Sequence, residues 1–306
     1  MAQMIEVFRS GVNTWDCDEM GHMNVRFYVA RSVDGLFGLA QVMGFGPRYM
    51  RELKRTLVVR DQHIRFHREM RPGTPYFINA GIIEADVNGI KVYEEMVNAA
   101  TGLVSATFVA DVVLTSTDTR EEIAYSDAMI ARSSEYRVDL PEFAKPRGTS
   151  TEAPRTPPTL GDAEQLGLIP IYRGVVLSAD ADEQGYMQVY SYMGRISDGI
   201  THFFMAIRDE DGPRDKGTGG AALEYRFVYH QTPQVGDILV IRSGLKGIIG
   251  KASNFCHWMF NAETGECVAT TEAVAISFDL KTRKAIELSP EARDKMMAKA
   301  VPSLSL

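Results

Sequence analysis

The sequence contains one motif twice. Trp15-Asp16-Cys17-Asp18-Glu19-Met20-Gly21-His22-Met23-Asn24 stands near the start, and Ala179-Asp180-Ala181-Asp182-Glu183-Gln184-Gly185-Tyr186-Met187-Gln188 lies past the midpoint. Downstream, Tyr28, Arg31, Asp34 and Gly35 match Tyr192, Arg195, Asp198 and Gly199 at one offset of 164 (180 − 16 and 198 − 34). Further on, Thr101-Gly102, Thr119-Arg120, Ile123 and Ser126 match Thr264-Gly265, Thr282-Arg283, Ile286 and Ser289 at offset 163, so a net gap of one residue separates the blocks. Arg65-Phe66 and Arg226-Phe227 align at offset 161 if the following loop is two residues longer in the second copy. Self-similarity on this scale means a duplicated domain.

At 306 residues the chain is twice the ~150-residue domain prior. Each half is long enough to bury a core of its own. A net charge of −7, with no basic run in either half, argues against nucleic acid or an anionic membrane as partner. The three cysteines, Cys17, Cys256 and Cys267, show no metal-ligand spacing and suit a reducing compartment. Residues 1–10 lack the basic and apolar segments of a leader, and no apolar run approaches a membrane span. The expectation is a cytoplasmic protein without membrane attachment.

Both halves show the same order of elements. Residues 5–13 alternate as a strand, the aspartate motif follows as a loop, and a helical pattern runs from Val25 to Met43. In the second copy Val189, Met193, Ile196, Ile200, Phe203 and Ile207 recur at helical steps, with Tyr190, Tyr192, Phe204 and Met205 on the other sides. A helix so widely apolar belongs inside a protein. Four strand-like runs follow each helix: 56–70, 75–86, 90–100 and 103–115, then 221–232, 237–248, 253–262 and 266–279. Turns such as Asn88-Gly89 and Thr101-Gly102 between them signal antiparallel hairpins.

Arg120–Arg132 reads as a short helix, by analogy with Ser289–Ala300. Five prolines between Pro141 and Leu160 read as an extended linker. The expected organisation is an N-terminal domain over 1–135, a Pro-rich linker over 136–166 and a C-terminal domain over 167–306.

Strand, loop, long buried helix and four antiparallel strands is the order of the hot-dog fold. The string Asp16-Cys17-Asp18-Glu19-Met20-Gly21-His22-Met23-Asn24, with Tyr28 after it, resembles the aspartate loop of the 4-hydroxybenzoyl-CoA thioesterase family. The resemblance covers both halves. It implies an α+β, tandem (double) hot-dog protein in which each antiparallel sheet wraps one helix. It also implies hydrolysis of an acyl-CoA, a small-molecule substrate, with CoA present only as part of that substrate and no metal or other cofactor. In single-domain members the site lies between two subunits, so the fused halves would supply that pair within one chain. A homodimer of double hot dogs stays open.

Thioester hydrolysis needs a nucleophile or an activated water, and donors where charge grows on the carbonyl oxygen. A carboxylate just before a helix start supplies the first, and the unpaired N–H groups of the first turn supply the second. Gly21 and Gly185 allow a close approach of backbone and ligand. The resemblance implies Asp18 and Asp182 as nucleophile or base, and places the oxyanion-binding amides near Asn24-Val25 and Gln188-Val189. Both aspartates also fit a plain role as turn or cap residues. Asp16 and Asp180 read as structural acceptors of loop amides. Tyr28 and Tyr192 read as core residues with satisfied hydroxyls. Arg31 and Arg195, one helical turn before Asp34 and Asp198, read as their ion-pair partners.

His22 either orients substrate or braces the loop, and its counterpart is Tyr186; Asn24 is likewise replaced by Gln188. The two sites thus keep the carboxylate and differ around it. His63, Arg65 and His67 share one strand face, and Glu224, Arg226 and Val228 stand in the corresponding places of the second copy under the 161 offset. That face is either a solvated surface or a polar pocket wall facing the other half's aspartate loop. Two alternatives to hydrolysis remain. One is a lyase, dehydratase or decarboxylase working by acid–base chemistry on an aromatic or hydroxylated substrate without CoA. The other is a non-catalytic ligand-binding module.

Overall fold

The structure, a computed structural model, describes residues 4–208 and 217–306. The chain divides into two compact units, residues 1–145 and 146–306, and the division falls inside the segment expected as a linker.

The first unit comprises β1 (Ile5–Gly11), α1 (Val25–Val42), α2 (Pro47–Glu52), β2 (Arg55–Phe66), β3 (Pro75–Ala85), β4 (Ile90–Asn98), β5 (Leu103–Ser116), β6 (Glu122–Ile123) and α3 (Asp127–Ser134). Its sheet is antiparallel in the order β1-β3-β4-β5-β2, with β6 beside β5. The second unit comprises α4 (Leu160–Gln165), β7 (Ile169–Val175), α5 (Val189–Arg208), β8 (Thr218–Tyr229), β9 (Ile238–Ile249), β10 (Ala252–Asn261), β11 (Cys267–Asp279), β12 (Ala285–Ile286) and α6 (Pro290–Met297). Its order, β7-β9-β10-β11-β8 with β12 beside β11, repeats the first.

The long helix packs one stripe against its own sheet. Tyr28, Val29, Ser32, Leu36 and Leu39 are buried on α1, and Tyr192, Met193, Ile196, Phe203 and Ile207 on α5. Asp34, Asp198 and Met205 lie at the surface. No helix among the described residues is long and apolar enough to cross a membrane.

Two expected bounds move for a visible reason. The N–H groups of His67 and Arg68 both donate to Ser105 O, at 2.8 and 3.1 Å, and this doubled bond ends β2 at Phe66. His230 and Gln231 do the same with Val268 O, at 3.0 and 3.2 Å, and end β8 at Tyr229. The short helix expected over Arg120–Arg132 begins instead at Asp127, where Ser126 Oγ caps the Met129 N–H. Arg120, at φ +62°, belongs to the tight turn that feeds β6.

Those doubled bonds also correct the alignment of the halves. His67 matches His230 and Ser105 matches Val268 at offset 163 (230 − 67 and 268 − 105). His67 Nε2 contacts Thr107 Oγ1 as His230 Nε2 contacts Thr270 Oγ1, each at 3.1 Å. The bulges after Val59 in β2 and after Ala222 in β8 fall at that offset as well. The 161 offset is therefore wrong: His63, Arg65 and His67 correspond to Arg226, Val228 and His230. Glu224 corresponds to Asp61.

β2 alternates as a strand must. Phe66 meets Tyr28 of α1 edge to face at 5.3 Å, and Gln62 Nε2 donates to Ser32 Oγ of α1 at 3.3 Å, so Gln62, Ile64 and Phe66 face the helix. His63, Arg65 and His67 face the opposite side. Residues 142–145 cover them there: Arg65 donates to the carbonyls of Phe143 and Lys145, and His67 packs edge to face on Phe143 at 5.7 Å. His63 and Arg65 are buried, so this face is no solvated surface. In the second unit Arg226 holds the carbonyls of Ser150 and Glu152, each at 2.8 Å, and Glu224 accepts the Arg147, Gly148 and Thr149 N–H groups. The Pro-rich segment is thus anchored through its backbone polar groups.

Candidate active site

The two aspartate loops have the same internal geometry. In the first, Asp18 Oδ1 accepts the Met20 and His22 N–H groups at 2.9 and 3.1 Å, and Asp18 O accepts the Gly21 N–H at 3.0 Å. In the second, Asp182 Oδ1 accepts the Gln184 and Tyr186 N–H groups at 3.0 and 2.9 Å, and Asp182 O accepts the Gly185 N–H at 3.0 Å. Gly21 at φ +72° and Gly185 at φ +82° supply the left-handed residue that closes the turn. One carboxylate oxygen of each aspartate is thus committed to the fold. Among the described residues nothing bonds Asp18 Oδ2 or Asp182 Oδ2, and neither is buried. The turn and the reactive reading are compatible, since they use different oxygens.

Each loop runs straight into its helix. The Asn24 N–H donates to Asp16 O at 2.8 Å and the Gln188 N–H to Asp180 O at 2.9 Å, so both amides are occupied. Asn24 Oδ1 caps the Arg26 N–H at 2.9 Å, and Asn24 O accepts the Phe27 N–H. That leaves Val25 as the first-turn amide of α1 without an acceptor among the described residues, and Val189 stands in the same position on α5. Of the amides expected to bind an oxyanion, one per loop is therefore available.

Asp16 is structural, as expected: 1% exposed, with Oδ2 accepting the Asn13 N–H at 2.9 Å. Arg31 joins Asp34 at 2.9 Å and lies 4.0 Å from Asp16. Arg195 departs from the expected pairing. It is buried and turns to Asp180 at 3.4 Å, leaving Asp198 exposed. Tyr192 Oη donates to Gln231 O at 2.8 Å, and the Tyr28 hydroxyl meets the backbone of Met70.

His22 is buried with Nε2 3.2 Å from Glu69 Oε2, a partner the sequence did not suggest. Tyr186 instead pairs through its backbone with Gln234. Burial and the charges of Asp18 and Asp16 push the Cys17 thiol up from its ordinary range, which keeps it neutral and a poor nucleophile. His63 and His67 lie on the sheet face away from α1 and do not join Asp18 within their unit. Among the described residues no group of three or more His, Cys, Asp or Glu side chains is placed to hold a metal ion.

A polar group behind the first loop also escaped the sequence reading. Ser32 of α1 donates to Glu94 Oε2 of β4, and Gln62 of β2 donates to Ser32. All three are buried between helix and sheet. Burial pushes the Glu94 carboxyl up to about 8.

The sequence profile of the thioesterase-like superfamily matches residues 12–160 and 176–296, one segment for each repeat. The chain belongs to this superfamily. Among solved structures, one described as an oleoyl thioesterase from Lactobacillus plantarum is similar at TM-score 0.69 and 14% identity, covering 90% of this chain and 98% of its own. A 12:0-ACP thioesterase from Umbellularia californica is similar at TM-score 0.68 and 12% identity, covering 88% and 93%. An acyl-ACP thioesterase from Bacteroides thetaiotaomicron is similar at TM-score 0.64 and 13% identity, covering 87% and 96%. No curated protein matches the sequence. At these identities the structures speak to the fold: the chain is a double hot-dog, and the resemblance to 4-hydroxybenzoyl-CoA thioesterases holds at the level of the superfamily.

Proposed function

We propose that this protein hydrolyses an acyl thioester at the junction of the first aspartate loop with α1. One observation carries the reading. Asp18 is locked by Oδ1 to two loop amides and keeps Oδ2 unbonded, and the next helix opens on an unpaired amide at Val25. In this reading Oδ2 activates water or attacks the thioester carbon, while the Val25 N–H and the positive end of α1 stabilise the oxyanion. His22, whose Nε2 lies 3.2 Å from Glu69 Oε2 without hydrogen-bond geometry, braces the loop in this reading. Asp182 has the same geometry. The interior behind it, however, is filled by Tyr225, Phe227 and Tyr229 stacked at 5.8 and 5.5 Å, and by Phe203 against Phe255 at 5.2 Å. We therefore assign turnover to Asp18.

The loop's resemblance points to CoA as carrier, and the similar Umbellularia and Bacteroides enzymes act on acyl-ACP. Membership of the thioesterase-like superfamily supports hydrolysis, and the lyase alternative gains nothing from the comparisons. The test is thiol release from acyl-CoA and acyl-ACP panels by the wild type, Asp18→Asn, Asp182→Asn and the double variant. Asparagine keeps the oxygen that closes the turn, so the loop is retained while the charge is lost. Asp18→Asn is expected to lower kcat at least about 100-fold and Asp182→Asn by less than about threefold, a modest loss for a group outside the chemistry. No hydrolysis of any thioester by the wild type would overturn the proposal.

A further inference from the structure

The Ser32, Gln62 and Glu94 cluster borders a cavity of about 10 Å³ beneath α1, otherwise walled by Val33, Leu36, Val59 and other apolar side chains. That is space for one water-sized group. Glu94 is 3% exposed, and its Oε1 is buried without a hydrogen-bond partner among the described residues. The carboxyl reaches far into the helix surface: a Cβ at residue 35 would stand 2.6 Å from Oε1, so Gly35 makes room for it. An unpartnered buried oxygen costs stability, and Ser32, itself bonded by Gln62, holds the carboxyl from its other side.

The second unit lacks this arrangement. At the equivalent positions stand Ile196, Tyr225 and His257 (offset 164 on the helix and 163 on the strands), and His257 Nδ1 meets Ser243 Oγ at 2.7 Å. The polar cavity is therefore not a requirement of the fold.

We propose that Glu94 is a specificity residue that binds a hydroxyl group carried on the distal part of the acyl chain. This rests on the reading of Asp18 as the working site. Val25 and Ser32 are seven residues apart on one helix (32 − 25), hence on the same face and about 10 Å apart along the axis. Tyr28 and Val29 fill that face between them, so an acyl chain whose carbonyl sits at the Val25 amide reaches Ser32 and Glu94 by displacing those two side chains from the sheet. A hydroxyl matches the cavity in size, replaces a water, and can both accept from and donate to a carboxyl. With its proton retained near neutral pH, the carboxyl engages the hydroxyl without leaving a buried charge.

The experiment compares ω-hydroxyacyl-CoAs with unsubstituted acyl-CoAs from hexanoyl to dodecanoyl, on wild type, Glu94→Leu and His257→Leu, the last being the matched change in the second unit. A site built around a hydroxyl discriminates against the analogue lacking it. The hydroxylated member of at least one pair should show kcat/KM about tenfold or more above its partner. Glu94→Leu should bring that ratio to about one, and His257→Leu should leave it at the wild-type value. A ratio near one at every length in the wild type, or a preference that survives Glu94→Leu, overturns the proposal even if hydrolysis depends on Asp18. Binding without turnover separates the two readings and covers a Glu94→Leu chain that does not fold. ω-Hydroxydecanoate should raise the wild-type Tm more than decanoate does, whether or not any thioester is hydrolysed. Equal shifts would mean that the cavity holds water only, and would likewise overturn the assignment.

Discussion

Behind the first aspartate loop, Ser32, Gln62 and Glu94 stand between helix and sheet; behind the second, Ile196, Tyr225 and His257 occupy the same places. The backbone around them is the same. Strand order, bulges, doubled bonds at the ends of β2 and β8, and both aspartate turns repeat residue for residue. Duplication has therefore held the hydrogen-bonded frame and let the filling diverge. The first interior carries a carboxyl beside a cavity the size of one water. The second is closed by aromatic rings and a neutral imidazole. What varies is what lies at the end of a chain entering beneath the helix, which is where substrate selection resides in the proposed reading.

The largest expected effect tests whether the second interior is closed by packing. Phe227 is fully buried, with stacked partners on both sides. Phe227→Ala should cost about 3–5 kcal/mol in chemical denaturation. A loss under about 1 kcal/mol, the centre of the range for ordinary substitutions, would mean that the aromatic filling is slack and the contrast overstated.

Next in size, the two interiors should respond oppositely to pH. Burial raises Glu94 from 4.5 to about 8 and lowers His257 from 6.5 to about 3. Below pH 4.5 Glu94 keeps its proton in both folded and unfolded chains. Between 4.5 and 8 only the unfolded chain releases it, so this contribution to stability is lost as pH rises. His257 is neutral in both states above 6.5. From 6.5 down to about 3 only the unfolded chain gains a proton, so its contribution is lost as pH falls. Each slope is at most about 1.4 kcal/mol per pH unit. Glu94→Gln should flatten the alkaline side of a stability–pH curve and His257→Leu the acid side. Slopes unchanged by either variant would break the comparison.

The smallest effect distinguishes the starts of the two long helices. Asn24 caps α1 through Oδ1, whereas Gln188 uses Nε2 to hold Ala181 O at 3.0 Å. Asn24→Ala should cost about 1 kcal/mol. Gln188→Ala, which removes no helix cap, should cost less, and equal losses would show that the first turns of α1 and α5 are energetically alike.

The repeat, the helices and most strand bounds were legible because periodicity and turn residues encode them directly. The alignment of β2 with β8 was not. A strand repeats every two residues, so sliding the match by two preserves the inward and outward alternation. Arg65-Phe66 and Arg226-Phe227 then coincide in letters alone, and only the pairing register with β5 and β11 tells them apart. Glu94 was hidden for a related reason. In Tyr93-Glu94-Glu95-Met96 the two glutamates look equally exposed, and only their phase with Val92 and Met96, both buried, sends Glu94 inward. The Arg195 pairing was missed because Asp180 lies in the loop, outside the one-turn spacing that sequence can search. Asp18 itself was legible as a motif, but the split use of its two oxygens is set only by the folded loop.

That split bears on how such sites decay. An aspartate whose one oxygen closes the loop will be retained by selection for folding after the other has lost its work. A copy that no longer turns over still displays the full motif, and counting aspartate loops in a duplicated chain overcounts its active centres.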